Sequence, residues 1–535
     1  MERHSMRLVL GLLGWFVLVL MMAACGGDSS RSQARSDRRL IYGLTLQPSG
    51  IDPHINSSSE LGIPLRQVYD TLVYHDPATA AIVPGLAVEW VVSDDGLTYT
   101  FKLRQGVTFH DGTPFNAQAV AANLDRIVDP ATASQKAVFL LGPYTGYEIV
   151  DEYTIQLKLA EPYSPLLDSL SQVYLGIASP AALAEYSTSR YQFHQVGTGP
   201  FRFVEYVPGD RIVLQRSPDY QWGPAFYQTG NIEMIEFRFF TDAPTRAAAI
   251  ESGAVQIMGE LLPTDARALT ANSAIQLLPV TIPGQPLQFL MNTRRFPTDN
   301  RIVRQALLFG ANRNTIIDTV FQRFSPVAWG PLSANTLFYS REMIGLYAQD
   351  TGQAQALLSS AGFQDSNNNG YLDVGGVELE VTIIVPPWGL IPEVAQLLQD
   401  QWRAIGVRAV LEPVPTRSAL LERVKEGQYN LVAFYSFGLD PVFLNQYFLG
   451  DSPDNWTGYS NPDLDNILRE AARAGDPNTR RSLYAQAQRI IMDEALILPI
   501  RDYVNLNAAS AALKGLTFDS YGWFPLLNAV TATDS

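Results

Sequence analysis

Between residues 92 and 128 the hydrophobic period of the chain changes once, and the change frames the reading of the rest. Tyr99, Phe101 and Leu103 alternate with Thr98, Thr100 and Lys102. A period of two predicts a strand with one buried face over 98–103. Asp94-Asp95-Gly96 and Asp111-Gly112 supply turns on either side. Asn116 then offers a side-chain oxygen to the unpaired N–H groups of a helix start. Val120, Leu124, Ile127 and Val128 follow at helical spacing. The same alternation continues along the chain. Strands are predicted at 40–46, 211–215, 235–239, 255–257, 287–292, 377–385, 407–411 and 429–435. Helices are predicted at 179–186, 245–250, 354–361 and 420–426, and after the cap Asn300. A further helix has Pro392 in its first turn and Val394, Leu397, Leu398, Trp402 and Ile405 on one face, and it stops at Gly406. Repeated strand–helix alternation predicts an α/β fold.

The amino terminus breaks this pattern. Arg3, His4 and Arg7 precede an almost unbroken apolar run over 8–22, and Met22-Ala23-Ala24-Cys25 follows. The run is shorter than the ~20 residues a spanning helix needs. It predicts a signal peptide at 1–24, followed by a polar tether to residue 39. The length of 535 residues predicts two or three domains. A net charge of −15 argues against a nucleic-acid partner, which needs clustered Lys and Arg. Cys25 is the single cysteine, so neither an intrachain disulfide nor a cysteine metal cage is available.

No cheap signature of catalysis is present. The chain lacks a G-x-S-x-G elbow, an H-E-x-x-H pair and a P-loop. Gly197-Thr198-Gly199 has neither the third glycine nor the strand-to-helix setting of a nucleotide loop. Its glycines predict a tight backbone path instead. His54, His75, His110 and His194 are scattered, and His110-Asp111 falls in a turn. The expectation is a protein that is not an enzyme, although acids from distant segments can converge into a site.

One loop has metal-like spacing. Asp365, Asn367 and Asn369 occupy positions one, three and five, Gly370 position six, Tyr371 position seven and Asp373 position nine. That is the opening of a Ca²⁺ loop. Position twelve is Gly376, so the bidentate Glu is missing, and two neutral Asn ligands lower the affinity. Two readings stand: a polar loop with no cofactor, or a weak structural Ca²⁺ site. Neither places it at the solute.

The stretch DGLTYTFKLRQGVTFHDGTPFNAQAV, residues 95–120, resembles a signature of the bacterial family 5 extracellular solute-binding proteins. These are the peptide-, nickel- and oligosaccharide-binding subunits of ABC importers. Tyr69-Asp70-Thr71-Leu72-Val73, Gly197-Thr198-Gly199-Pro200-Phe201, Arg216-Ser217-Pro218-Asp219-Tyr220 and RIVRQALLFGANRNTII at 301–317 resemble further family segments. So do the tracts at 455–468 and 476–498. The resemblance runs in order along nearly the whole mature chain. It implies an α/β, two-lobed periplasmic-binding-protein-like fold of class II type, with an extra domain inserted in the first lobe. Lobe I is then expected at 40–77, 196–283 and 499–535, the insertion at 78–195 and lobe II at 284–498. Ala23-Ala24-Cys25 resembles a lipobox, which implies cleavage before Cys25 and a lipid on that residue. The protein is then exported and anchored to the outer face of the cytoplasmic membrane, with ABC permease subunits as partners, and is a monomer.

The resemblance also implies a cleft. Asn56 and Ser57 follow the loop after the first strand, which faces ligand in the family. Residues 433–441 resemble the cleft-lining strand and turn of the peptide binders, with Phe434, Tyr435 and Phe437 on the strand and Asp440 in the turn. Trp388 and Trp456 add aromatic faces suited to sugars, apolar groups or cations. In the peptide binders an aspartate pairs with the peptide α-amine at the position held here by Phe437. A buried ammonium without a counter-charge costs several kcal/mol, which weakens the peptide mode unless another acid replaces it. The expected solute is peptide-like. An oligosaccharide or a metal chelate stands as the alternative, and a cell-surface hydrolase is the reading from another class.

Overall fold

The computed structural model describes residues 38–48 and 50–533. The expected signal peptide and Cys25 lie outside the described residues. The first strand, Arg39–Leu44, runs parallel to Met234–Phe239 and to Ile257–Met258. These lie within a seven-stranded sheet. Its order is Ile275–Thr281, Val504–Ser510, Ile257–Met258, Arg39–Leu44, Met234–Phe239, Arg211–Arg216 and Phe201–Val207. A five-stranded sheet has the order Arg408–Pro413, Glu380–Val385, Leu431–Phe437, Gly284–Met291 and Ile497–Arg501. The chain passes from the first sheet to the second at Ile282–Pro283 and returns at Asp502–Tyr503. Each sheet has its own buried core. The fold is thus two α/β lobes joined by two crossings.

The strand Thr98–Leu103 belongs to a third sheet. Ala87–Val92, Thr98–Leu103, Thr154–Leu159 and Tyr144–Asp151 pair in that order. Tyr99, Phe101 and Leu103 are buried while Lys102 is exposed, as the alternation predicts. Asn116 caps the helix Ala117–Val128 by accepting from Ala119 N at 3.1 Å. Val128 departs from the predicted stripe. At the last helical turn it faces solvent, because the chain there turns into the loop capped by Asp129. This sheet packs into the same core as the seven-stranded one.

Two glycines show why the resemblance holds where it does. A Cβ at Gly197 would lie 2.1 Å from Val68 O, and one at Gly199 would lie 2.6 Å from Val68 C. The loop crosses the end of the helix Ser59–Val68 at backbone contact. Thr198 between them donates to Asp70 Oδ2 at 2.9 Å. The predicted strand at 377–385 is two pieces: Val377–Glu378 pairs with Asp373–Val374 as a small hairpin, and Glu380–Val385 enters the five-stranded sheet. Gly375 and Gly376, both at positive φ, make that hairpin turn.

Candidate functional site

The strand Leu431–Phe437 lies in the middle of the five-stranded sheet. Leu431, Val432 and Ala433 are buried, but Phe434, Tyr435, Ser436 and Phe437 are only half-buried. The strand therefore leaves the core and enters the space between the lobes. At its end Phe437 pairs with Gly284, where a Cβ would lie 2.2 Å from Ser436 O. Only a residue without a side chain fits beside it. Trp388 reaches the same space from a loop whose Gly389 and Leu390 both have positive φ, ahead of the helix Ile391–Arg403.

Two cavities meet there. The larger, about 740 Å³, has Ser57, Gln135 and Lys136 on one side. Trp388, Arg417, Phe434, Tyr435, Phe437 and Trp456 form the other. The smaller, about 340 Å³, has Arg246, Glu260, Tyr503, Arg501, Trp388 and Tyr435 among its walls. Trp388 and Tyr435 face both, so they form the partition between them. Each cavity takes walls from both lobes, the position in which such folds bury small ligands.

The aromatic residues divide into two groups. Phe434 stands 4.5 Å from Tyr447 and 5.2 Å from Trp456, ring to ring. Phe437 stands 5.0 Å from both Tyr503 and Trp523 and 5.4 Å from Tyr435. Trp523 packs in the core of the seven-stranded lobe, so Phe437 bridges the lobes as well as facing the larger cavity.

The charges are unevenly spread. Lys136 and Arg417 face the larger cavity, and no carboxylate does. Lys136 Nζ sits 4.0 Å from the Tyr174 ring, and burial pushes its amine down to about 8. In the smaller cavity Glu260 faces Arg501. Burial lowers the Arg501 pKa from its ordinary value, because a desolvated cation is disfavoured. Among the described residues no histidine lines either cavity.

The sequence-predicted residues fall in three places. Ser57, Trp388, Phe434, Tyr435, Phe437 and Trp456 come together around the larger cavity. Asn56 lines neither cavity; its Nδ2 donates to Gly50 O at 2.9 Å and holds the loop. Asp440 is buried away from both. It accepts from Val442 N at 3.0 Å and pairs with Arg480 at 2.8 Å, so it fixes the turn. The Asp365–Asp373 loop satisfies itself. Asp365 accepts from Asn369 N and Gly370 N, Asn367 accepts from Asn369 N, and Asn369 accepts from Tyr371 N. Asp373 is held by Ser366. Among the described residues no group of three or more His, Cys, Asp and Glu is placed to hold a metal ion.

Sequence reasoning missed Glu60, Glu260, Lys136, Arg417, Arg501 and Tyr503. They come from separate segments, and none stands in a periodic or spaced motif. The one local hint is Gly259-Glu260 directly after a short strand.

Residues 81–456 match the family described as bacterial extracellular solute-binding proteins, family 5, middle. The glutathione-binding protein GsiB of Shigella dysenteriae serotype 1 is 30% identical over 450 residues, covering 81% of this chain and 82% of GsiB. Among solved structures, NikA from Brucella suis in complex with Fe(III)-EDTA superposes with a TM-score of 0.82. It is 24% identical, and the match covers 92% of this chain and 100% of NikA. The ABC transporter substrate-binding protein CtaP from Listeria monocytogenes gives a TM-score of 0.81 at 25% identity, covering 93% and 99% of the two chains.

Proposed function

Since the chain belongs to the bacterial extracellular solute-binding proteins of family 5, the receptors of ABC importers, we propose that its solute is a short peptide-like molecule with more carboxylates than amines. The observation that carries this reading is the charge pattern of the cleft. Lys136 and Arg417 face the larger cavity, whose lining among the described residues holds no carboxylate, and Glu260 and Arg501 both line the smaller one. Unpaired cations in a partly desolvated cavity favour an anionic group on the ligand. Trp388, Phe434 and Trp456 then cover the apolar part of the solute. Glutathione, the ligand named for the GsiB relative, has one ammonium and two carboxylates and matches this pattern. A polycarboxylate metal chelate would meet the same cations, and the NikA structure holds such a chelate.

Closure of the two lobes about the crossings at 282–283 and 502–503 would bury the solute and present one closed shape to the permease. The Ala23-Ala24-Cys25 ending supports cleavage before Cys25 and a lipid anchor, with the polar segment to residue 39 as tether. Nothing in the cleft supplies a nucleophile activated by a neighbouring base, which favours a receptor over a hydrolase. Native mass spectrometry of the protein as purified from its own host identifies the retained solute. Calorimetry with that solute should then give saturable binding with the ligand recovered intact. Turnover of the ligand would overturn the receptor reading, and a sugar mass would overturn the peptide-like solute.

A further inference from the structure

The smaller cavity holds two charges that the protein leaves without an ionic partner. On one wall Thr45 Oγ1 lies 2.8 Å from Glu60 Oε1 and also contacts Glu260 Oε2. A threonine hydroxyl has one hydrogen. Both contacts are hydrogen bonds only if one carboxyl keeps a proton and donates it to Thr45, which in turn donates to the other. Glu60 is the more buried. Burial, then the neighbouring Glu260 charge, pushes its carboxyl up to about 8. The relay therefore runs from Glu60 through Thr45 to Glu260, whose side chain lines the cavity. Arg246 is the cation nearest in influence, but it donates to the carbonyls of Phe240, Thr241 and Glu260. Glu260 is also held in place. Its φ is +46°, its N–H donates to Asn505 Oδ1 at 2.9 Å, and its carbonyl accepts from Arg246 at 2.9 Å. A non-glycine residue in that region of φ is strained and persists where its surroundings fix it.

On the opposite wall is Arg501, which is 6% exposed. Its Nη1 donates to Ser325 Oγ at 3.0 Å, and its Nε meets no partner among the described residues. The guanidinium carbon lies 4.1 Å from the Phe321 ring and 4.5 Å from the Tyr503 ring. No carboxylate bridges it among the described residues. Tyr503 connects the two walls, since its hydroxyl is 3.5 Å from Glu260 Oε1. A buried guanidinium and a half-buried carboxylate, neither closed by an ion pair among the described residues and both flanking one tyrosine, are costly unless a ligand completes them.

We propose that the smaller cavity is the subsite for a free α-amino acid group of the solute, with its ammonium on Glu260 and its carboxylate on Arg501. The acid absent at Phe437 is thereby supplied from the other lobe. This rests on the peptide-like solute proposed above. A γ-glutamyl peptide or a free amino acid has the required pair of groups on one carbon; an α-linked peptide has only the ammonium there.

The test uses the full mature chain and calorimetry. The probes are glutathione, free amino acids and α-linked di- and tripeptides, each also in N-acetylated and α-carboxamide form. The expected result is binding by probes with a free α-amino acid group, and a loss of about a hundredfold on blocking either charge. Glu260→Gln should erase the penalty for acetylation and leave that for amidation. Arg501→Met should do the reverse. Glu60→Gln keeps a hydrogen-bonding group beside Thr45 and should keep both preferences. Should Arg501→Met fail to fold by circular dichroism, Arg501→Lys, which keeps the charge and loses the fork, should shrink the amidation penalty instead. Equal binding of free and blocked probes would overturn the subsite and leave the peptide-like receptor standing. Binding of a metal chelate or sugar with no probe bound, or no binding at all, would overturn both.

Discussion

Two sets of charge, one in the core of the first lobe and one lining the cleft, differ in one respect: whether the protein itself completes them. In the first lobe Asp70 accepts from four donors, Tyr74 at 2.6 Å, Thr198 and Tyr220 at 2.9 Å, and Trp222 at 3.0 Å. Arg126 forks onto Asp52 at 3.0 and 2.6 Å and donates to His54 Nδ1 at 2.8 Å. His54 Nε2 then donates to Gly176 O at 3.0 Å. In the cleft, Glu260 and Arg501 stand in the same cavity with no such closure, and so do Lys136 and Arg417 next door. Buried polar groups are nearly always paired. Where pairing is complete, the group holds the fold. Where it is incomplete and a cavity lies beside it, the missing partner is the solute.

The largest test breaks the completed set. Arg126→Met leaves Asp52 as a buried charge with its cation gone, and His54 without its donor. Removing one partner of a buried pair costs about 3–5 kcal/mol. Urea denaturation should show a loss of that size, with solute affinity of the remaining folded protein unchanged. Arg501→Met is the matched substitution in the cleft. It removes a cation that has no ionic partner among the described residues, so unfolding should shift by less than about 1 kcal/mol while solute affinity falls about a hundredfold. Equal destabilisation by both would remove the distinction drawn between them.

Phe437 straddles the two sets, because it faces solute and also packs on Tyr503 and Trp523. Phe437→Ala should cost about 1–3 kcal/mol of binding through lost aromatic contact. Phe437→Asp should not create amine recognition if Glu260 already holds the amine. A gain of a hundredfold for free-amine ligands in that variant would put the amine at position 437.

The sets also respond to pH in opposite directions. His54, in the completed set, is buried, and burial lowers its pKa to about 4. A base whose folded pKa is depressed contributes stability that is present above its unfolded value near 6.5 and is lost as pH falls towards 4. Glu60 is an acid raised to about 8. Its contribution is full below about 4.5 and is lost as pH rises through 8. The difference in unfolding free energy between wild type and Glu60→Gln should therefore move in favour of the variant from pH 5 to pH 8. A flat difference curve would show that Glu60 titrates normally and that no proton is shared through Thr45.

The two sets were not equally legible in the sequence. Strand 98–103 and the Asn116 cap follow from local period and local hydrogen bonding, and the structure has them there; the helix predicted to stop at Gly406 ends at Arg403, three residues earlier. Phe434, Tyr435 and Phe437 are legible through the resemblance of 433–441 to a cleft-lining strand, and the structure shows consecutive residues of that strand leaving the core together. Thr45, Glu60, Glu260 and Arg501 come from four separate segments and meet only through the packing of strands 39–44, 257–258 and 497–501. No window of sequence contains two of the carboxylates. Asn56 and Asp440 show the converse: a polar residue in a loop beside a cleft serves the loop first, through Gly50 O and Arg480.

The smallest expected effect concerns the loop Asp365–Asp373, which belongs to neither set. Its side-chain oxygens accept from the loop's own N–H groups, chiefly at Asn369, Gly370 and Tyr371. A Ca²⁺ ion would have to compete with those bonds, with neutral Asn367 and Asn369 among its ligands and Gly376 where a Glu usually closes the site. We propose binding no tighter than about millimolar. At a free Ca²⁺ concentration equal to the dissociation constant, the stabilisation is RT ln 2, about 0.4 kcal/mol. Thermal melts with 1 mM Ca²⁺ and with chelator should therefore differ by no more than a few degrees. Solute affinity should be the same in both, because none of these residues lines either cavity. Asp365→Ala should abolish the small Ca²⁺ shift and also lower stability without Ca²⁺, by removing acceptors for two N–H groups. Tight Ca²⁺ binding, or loss of solute on chelation, would tie this loop to the cleft and give the molecule a third kind of charge site, completed by metal.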